Sequence, residues 1–267
     1  MIRPVRTDQF LRRVLKPIVF VSALMPAGYL AWAVFTGNLS PNPLGDITSD
    51  TGDWALRFLC VTLGITPLRR VSGWNGAIKF RRMLGLFAFF YGALHFLTYV
   101  ILDRLAGLDL SDTNGSWMAA RALAAAVSGD ICKRPFIAVG FTAFALMIPL
   151  AVTSTTGMIR RLGGRRWQAL HRLMYAACVA AVLHYWWLVR ADVRRPVAYG
   201  VVIAILLAFR LYWTRFHRKQ TASRSAVPQA PLTAQLSQAS RRKWSTGCGR
   251  PVSSIGDLPT TTNPSAS

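Results

Sequence analysis

The chain contains no glutamate, so its ten acidic residues are all aspartates, against 32 lysines and arginines and a net charge of +22. In a soluble chain, a positive charge of this size would indicate nucleic acid as the partner. Here the basic residues do not form one face, but lie between long apolar stretches and in the two tails. We therefore assign the charge to the flanks of membrane-spanning segments and expect no nucleic-acid partner.

Paired-cysteine motifs and nucleotide-binding motifs are also absent from the sequence. The four cysteines, at positions 60, 132, 178 and 248, include no C-x-x-C pair, so a disulfide framework is not expected. The absence of C-x-x-C-H excludes the usual covalent attachment of haem. The chain also lacks a Walker loop and a G-x-G-x-x-G sequence, the motifs that mark phosphate and dinucleotide sites.

The chain is instead rich in long apolar runs, and six of them come near the roughly 20 residues that a helix needs to cross a bilayer. We place these spans at residues 17–36, 54–68, 83–103, 135–153, 168–189 and 196–214. The second span is short, and Pro67 favours termination or a kink there. The predicted fold is therefore all-α, a polytopic membrane bundle of six transmembrane helices.

The distribution of charge predicts how these spans are oriented. Lysines and arginines precede span 1, fill the segment between spans 2 and 3, precede span 5 and follow span 6. Both termini are therefore expected in the cytoplasm. This gives three regions: residues 1–16 as a basic cytoplasmic segment, 17–214 as the transmembrane domain in contact with lipid, and 215–267 as a disordered cytoplasmic tail rich in Ser, Thr and Pro.

Three histidines lie within the predicted spans, namely His95 in span 3 and both His171 and His184 in span 5. Ionisable groups in hydrocarbon are costly, and they commonly mark functional sites. Burial disfavours the charged imidazolium, so each ring would be neutral and would have one nitrogen free for a metal such as haem iron. A structural hydrogen bond between helices is the competing interpretation, and a proton relay is weakened because no predicted span interior contains a carboxylate.

The spacing of the histidines predicts two depths in the membrane. His171 and His184 are 13 residues apart, which is about 20 Å along a helix axis, so one lies near each face. His95 is also 13 residues beyond Arg82 on a helix of the same direction, so His95 and His184 could supply both axial ligands of one outer haem. On an ideal helix, however, His171 and His184 would be roughly 140° apart around the axis, so some distortion is expected.

At the level of His171, the third span offers Arg82 rather than a histidine. An inner haem would then have one histidine ligand, and its second position would be open or unusual. Arg82 could pair with a haem propionate or another anion, although an ordinary positive charge flanking the span is the stronger interpretation from sequence alone.

Three segments carry a resemblance to a known family: TGDWALRFLCVTLGITPLRR, RRMLGLFAFFYGALHFLTYVILD and TSTTGMIRRLGGRRWQALHRLMYAACVAAVLHYWWLV. They resemble the MsrQ (YedZ) family, the haem-binding membrane subunits of the bacterial periplasmic methionine-sulfoxide reductase system, within the ferric-reductase-like transmembrane superfamily. The resemblance covers about residues 10–215 and includes the order and spacing of the histidines. The polar tail after residue 220 is a departure from the family.

The resemblance implies a multi-pass protein of the bacterial inner membrane that carries haem b, one or two per chain, with His95, His171 and His184 as iron ligands. Its role would be to pass electrons to the periplasmic molybdopterin enzyme MsrP, which reduces methionine sulfoxide in oxidised proteins. The chain itself would not carry out methionine-sulfoxide chemistry. The quinone pool or a cytosolic flavin reductase is implied as the electron donor, and FMN as a further cofactor that matches no motif here.

MsrP is expected to dock on the outer loops, especially residues 104–134, because an outer haem must lie close to its electron acceptor. The alternative function is a stand-alone transmembrane reductase of ferric iron or of the cytochrome b type. Such an enzyme usually carries fused flavin and nicotinamide domains in the cytoplasm, and the short polar tail leaves no room for them. A transporter with a histidine relay is the third candidate, weakened by the missing carboxylates.

Overall fold

The computed structural model describes residues 11–105, 116–189 and 192–225, in which every regular element is a helix. The chain divides into two compact units, Met1–Thr214 and Arg215–Ser267. In chain order, the α-helices of the described residues are α1 (Lys16–Thr36), α2 (Pro43–Ser72), α3 (Ile78–Thr98), α4 (Ser116–Lys133), α5 (Pro135–Val152), α6 (Thr156–Leu170), α7 (Leu173–Leu188) and α8 (Arg194–Ser225). Short π-helical segments, Leu11–Leu15 and Tyr99–Leu105, precede α1 and extend α3, and a 3-10 turn, Asn75–Ala77, leads into α3.

Four helical stretches of the described residues are long and apolar enough to cross a membrane: Arg13–Thr36, Asn75–Arg104, Pro135–Val152 and Arg194–Arg215. They correspond to the first, third, fourth and sixth predicted spans. The helix at the fifth, α7, is apolar but has only 16 residues. The helix at the second, α2, has 30 residues and a more polar sequence. The described residues therefore form a helical membrane protein.

α2 is longer than the apolar run that predicted it. The side chain of Asn42 accepts a hydrogen bond from the Gly45 N–H at 3.2 Å and caps the N-terminus. The helix begins at Pro43 and continues through Pro67 to Ser72, where Gly73 ends it with a φ of 68°. Of the two effects predicted for Pro67, termination or a kink, termination is therefore wrong. Apolar runs locate only the part of a helix that faces an apolar environment, and the polar first turns of α2 fall outside that part.

The core lies mainly between α2 and α3, and α5 packs against α7. α2 contributes more buried residues than any other described helix. Phe58 of α2 stacks on Tyr91 and Phe87 of α3, with ring centroids 5.3 and 5.7 Å apart. Because neighbouring helices cover α2, it can carry polar residues that a lipid-facing helix of this length would not tolerate.

A side chain from α3 enters the hydrogen-bond ladder of α1 next to Pro26. The Tyr91 hydroxyl donates to the Ala23 carbonyl at 2.8 Å and accepts from the Ala27 N–H at 3.1 Å. These two backbone groups would otherwise be partners within the helix. Pro26 supplies no N–H to this ladder, and the buried hydroxyl bonds to the pair of backbone groups next to it.

Two helices fall in segments that the sequence analysis treats as connections, α4 within residues 104–134 and α6 before the fifth span. Neither segment has an apolar run long enough to be taken for a span. Asp130 of α4 is buried, accepts a hydrogen bond from the Tyr99 hydroxyl at 2.6 Å and forms an ion pair with Arg104 at 2.6 Å. These contacts attach the end of α4 to the segment that follows α3. Asp109 and Asp112, in the predicted docking region 104–134, lie outside the described residues.

Candidate functional site

The structure brings together two of the three histidines that the sequence singled out. His95 projects from the last turn of α3, and His184 projects from α7 just before its last turn. Their ring centroids are 6.1 Å apart, and the ring planes meet at 79°. The equal spacing of His95 from Arg82 and of His184 from His171 therefore predicted a juxtaposition that the folded chain contains.

Each of the two rings is held through one nitrogen by a backbone carbonyl of a neighbouring helix, α2 for His95 and α5 for His184. His95 Nδ1 lies 2.9 Å from the Thr48 carbonyl oxygen of α2, and His184 Nδ1 lies 2.7 Å from the Phe136 carbonyl oxygen of α5. A carbonyl can only accept, so we assign the proton of each neutral ring to Nδ1. The lone pair of Nε2 is then free, which is the usual arrangement of histidines that bind a metal.

The same two helices provide a glycine four residues after each carbonyl. A Cβ atom at Gly52 would lie 3.1 Å from His95 Nδ1, and one at Gly140 would lie 2.6 Å from His184 Nδ1. In a helix, the N–H of residue i+4 bonds to the carbonyl of residue i, so a side chain there would cover that oxygen. Each imidazole therefore lies against the same local arrangement, a carbonyl acceptor followed four residues later by a glycine. The two pairs are Thr48 with Gly52 and Phe136 with Gly140.

These residues fit a haem that is bound from both sides. A ring nitrogen binds a metal at about 2 Å, so two imidazoles on opposite sides of one iron have ring centres about 6 Å apart. The observed separation is 6.1 Å. Two neutral nitrogen donors from different helices are the donor set of a bis-histidine haem, and the hydrogen bonds at Nδ1 hold both rings in the required tautomer. No group of three or more possible ligands of the His, Cys, Asp or Glu type occurs within the described residues.

His171 lies apart from this pair. It follows the last residue of α6, and its Nδ1 is 3.1 Å from the Trp167 carbonyl oxygen in the preceding turn. Its ring stacks on the Trp167 indole at a centroid distance of 3.9 Å, and the indole N–H donates to the Thr153 carbonyl at 3.0 Å. Within the part of the chain that the structure describes, the ring partner of His171 is thus a tryptophan and not a second histidine.

The position of His171 also explains the angular misfit in the sequence analysis. α7 begins at Leu173, and a turn at His171 and Arg172 separates it from α6. His171 and His184 therefore do not share one regular helix, so the rotation of about 140° that an ideal helix would give does not apply to them.

The arginine that interacts with His171 is Arg81, and not Arg82, which the 13-residue spacing selected. The Arg82 side chain is exposed, whereas that of Arg81 is half-buried. Arg81 interacts electrostatically with His171. Arg81 and Arg82 lie in the same turn of α3, the turn that the 13-residue spacing selects. Adjacent residues on a helix point about 100° apart, so only the packing shows which of them faces inward.

Several charged groups near the site were not identified from the sequence. Asp53 lies within α2, is 9% exposed and forms ion pairs with Arg57 at 3.6 Å and Arg195 at 3.5 Å. Tyr185, the residue after His184, also interacts electrostatically with Asp53. A carboxylate thus lies in a helix interior, one residue outside the predicted second span. Arg57 and Arg210 do fall within predicted spans, and the rule that ionisable residues in spans are unusual could have singled them out.

Fold and site together define a helical membrane protein in which two half-buried histidines from different helices have their ring centroids 6.1 Å apart. Residues 51–182 match the family described as "Ferric reductase like transmembrane component". Relatives named "Protein-methionine-sulfoxide reductase heme-binding subunit MsrQ" are similar over most of their length. The relative from Herminiimonas arsenicoxydans is 48% identical over 201 residues, which are 74% of this chain and 85% of that protein.

The relative from Ralstonia nicotianae is 47% identical over 219 residues, 81% of this chain and 94% of the relative, and the one from Xanthomonas euvesicatoria is 43% identical over 221 residues, 80% and 94% of the two chains. The chain belongs to the MsrQ family. No solved structure matches it significantly.

Proposed function

We propose that this chain is a membrane electron-transfer subunit that holds haem b between His95 and His184 and passes electrons to a periplasmic methionine-sulfoxide reductase. The observation that carries the proposal is the pair of imidazoles at a centroid distance of 6.1 Å, each fixed by a carbonyl at Nδ1. The names of the relatives, which describe haem-binding subunits of such a reductase, support it.

Haem would supply reversible one-electron redox chemistry to a protein that has none of its own. His95 and His184 would hold the haem iron through Nε2. The carbonyls of Thr48 and Phe136 hold the Nδ1 protons, and this raises the basicity of the ligating nitrogens. Gly52 and Gly140 leave the space in which the rings lie. The proposed ligands of the haem iron are therefore the Nε2 atoms of His95 and His184.

His171 is proposed as a ligand of a second haem near the inner face, so the chain would carry one or two haems. Its Nδ1 is engaged by the Trp167 carbonyl, and its Nε2 is therefore available to a metal in the same way as in the outer pair. Arg82 remains a candidate partner for a propionate of this haem. Arg81 is the better placed of the two, because it is half-buried and acts on His171.

The proposed topology has six spans in the bacterial inner membrane and both termini in the cytoplasm. α2 would be a span whose apolar middle is covered by other helices rather than by lipid. α7 is about 24 Å long at 1.5 Å per residue, somewhat shorter than the roughly 30 Å hydrocarbon core, and interfacial residues at both ends would make up the difference. Residues 1–16, 17–214 and 215–267 would be the N-terminal segment, the haem domain and the cytoplasmic tail.

The partner MsrP is proposed to dock over α4, within the predicted docking region 104–134. Tyr99 lies one turn beyond His95, and its hydrogen bond to Asp130 holds the end of α4 close to the outer histidine pair. The electron would then leave the protein from the histidines nearest to α4. On the other side, the quinone pool or a cytosolic flavin reductase is proposed as the donor, with FMN as a further cofactor.

Absorption spectra of single histidine variants test the haem assignment. We expect His95→Ala and His184→Ala to remove the same haem signal from the purified protein, because each deletes one ligand of one site. His171→Ala should affect a separate signal, and His217→Ala, outside the spans, should affect none. A colourless wild-type protein, purified with an adequate haem supply, would contradict the proposal, and identical spectra for the three span variants would contradict two depths.

The acceptor of the electrons distinguishes the proposal from a stand-alone ferric or cytochrome b-type reductase. The purified protein is reduced and then mixed either with MsrP and methionine sulfoxide or with a ferric chelate. We expect rapid reoxidation only with the partner and its substrate, and the reduced haem band reports the rate. Rapid oxidation by the chelate with none by MsrP would favour the alternative function.

A further inference from the structure

Three arginines from three helices meet at the inner end of the bundle: Arg70 of α2, Arg81 of α3 and Arg210 of α8. All three side chains are half-buried. Arg210 donates to Thr66, one turn before Arg70 on α2, and Arg70 lies over Trp213, about one turn after Arg210 on α8, so Arg70 and Arg210 are neighbours. Arg81 is coupled electrostatically to Arg210. We call Arg70, Arg81 and Arg210 the inner arginine cluster.

The partners that the cluster has are neutral. Arg210 donates to the Thr66 hydroxyl at 3.3 Å and lies over the Tyr175 ring at 4.8 Å from its centroid. Arg70 lies over the Trp213 ring at 5.3 Å, and its buried Nη1 has no hydrogen-bond acceptor among the protein atoms that the structure describes. Within the described residues, no carboxylate forms an ion pair with any member of the cluster.

This arrangement is unfavourable unless an anion completes it. Guanidinium groups stay charged at every physiological pH, so the cluster cannot relieve its repulsion by losing protons. Partial burial strengthens the repulsion, and a buried N–H without an acceptor adds a further cost. Rings and one hydroxyl offset only a part of this, since cation–π contacts neutralise no charge. Oxyanions with two charges satisfy these demands, because guanidinium groups bind carboxylate and phosphate oxygens in pairs.

We propose that the inner arginine cluster is a binding site for a doubly charged oxyanion group of a cofactor, either a phosphate monoester or the paired carboxylates of a porphyrin. Arg81 connects the site to His171, on which it also acts. Only the choice between these two sources rests on the proposed function, since the need for an anion follows from the arginines alone. A phospholipid headgroup carries a single phosphate charge in a diester and meets the demand less well.

The test uses the purified full-length protein in a non-ionic detergent and two matched pairs of probes. FMN is compared with riboflavin, which lacks the phosphate, and haem with its dimethyl ester, which lacks the free carboxylates. Binding is measured by fluorescence quenching for the flavins and by the Soret band for the porphyrins. The site variant is Arg81→Gln with Arg210→Gln, and the control is Arg161→Gln with Arg165→Gln, which removes two exposed charges from α6.

We expect the wild type and the control to bind the charged member of one pair at least about tenfold more tightly than its uncharged analogue, since charge-assisted hydrogen bonds are lost without the anion. The site variant should lose this preference and keep the weaker affinity for the analogue. The pair that shows the effect identifies the source. Retention of the His95–His184 haem band and of the thermal unfolding midpoint shows that the site variant is folded.

Three results would overturn the inference. The charged and uncharged members could bind equally to the wild type, the control could lose the preference as fully as the site variant, or mass spectrometry could show that only bound phospholipid is lost. A wild type without haem at His95 and His184 would refute the proposed function instead. The flavin pair would still test the arginines in that case.

Discussion

At the scale of single residues, two glycines leave the space in which the imidazole rings of His95 and His184 lie. A carbonyl oxygen has two lone pairs, and in a helix one of them normally accepts the N–H four residues later. Gly52 and Gly140 leave the second lone pair of Thr48 and Phe136 open to an imidazole N–H. The sequence shows these glycines, but glycine in a helix has several explanations, and only the fold shows a ring against each of them.

We expect Gly140→Ala to reduce haem retention at the outer site more strongly than Gly52→Ala does. The new Cβ would lie 2.6 Å from His184 Nδ1 in the first variant and 3.1 Å from His95 Nδ1 in the second, so the first ring must move further. Gly64→Ala is the matched control, because nothing lies within 4 Å of its Cβ. Haem content per protein and the Soret band measure the effect. Equal retention in all three variants would refute this role of the glycines.

At the scale of elements, α1 depends on a hydroxyl from α3. Pro26 could be recognised in the sequence as a weak point of the first span, but not the partner that compensates for it, since Tyr91 is 64 positions away from the Ala27 amide that it contacts. Contacts between residues so distant along the chain have no periodic signature. The ends of α2 were missed for a different reason, because local caps at Asn42 and Gly73, and not hydropathy, set them.

Tyr91→Phe is expected to destabilise the folded protein by about 1 to 3 kcal/mol, because it removes the partner of two backbone groups next to Pro26. Unfolding by sodium dodecyl sulfate, followed by far-UV circular dichroism, should show a lower midpoint. Tyr29→Phe removes the same atom from a side chain that is 72% exposed, and it should leave the midpoint unchanged. An unchanged midpoint for Tyr91→Phe would mean that the Ala27 N–H and the Ala23 carbonyl bond to each other within α1 when the hydroxyl is absent.

At the scale of the whole molecule, the proposed orientation places the two ends of the chain and α4 on opposite sides of the membrane. The natural cysteines report on it directly. Cys132, at the end of α4, is exposed, whereas Cys178 is buried and Cys60 is half-buried. Cys248 belongs to the tail, outside the described residues.

A membrane-impermeant maleimide added to intact spheroplasts should therefore label Cys132 and spare Cys248. Cys132→Ser is expected to remove labelling in intact spheroplasts, and Cys248→Ser should leave it unchanged. After lysis, Cys248 becomes reactive in the Cys132→Ser variant, which shows that the thiol is present. Labelling of Cys132→Ser before lysis would contradict a cytoplasmic C-terminus.

The sequence by itself determined that the chain is a helical membrane protein and that His95 and His184 come together, because hydropathy and helical rise depend on local composition and on counting residues along one axis. It could not determine what depends on rotation and on distant contacts. Only the tertiary structure decided that Arg81 rather than Arg82 is half-buried, that His171 stands outside α7, and that carbonyls of α2 and α5 hold the paired rings. Packing between helices sets these features, since it selects which face of each helix turns inward.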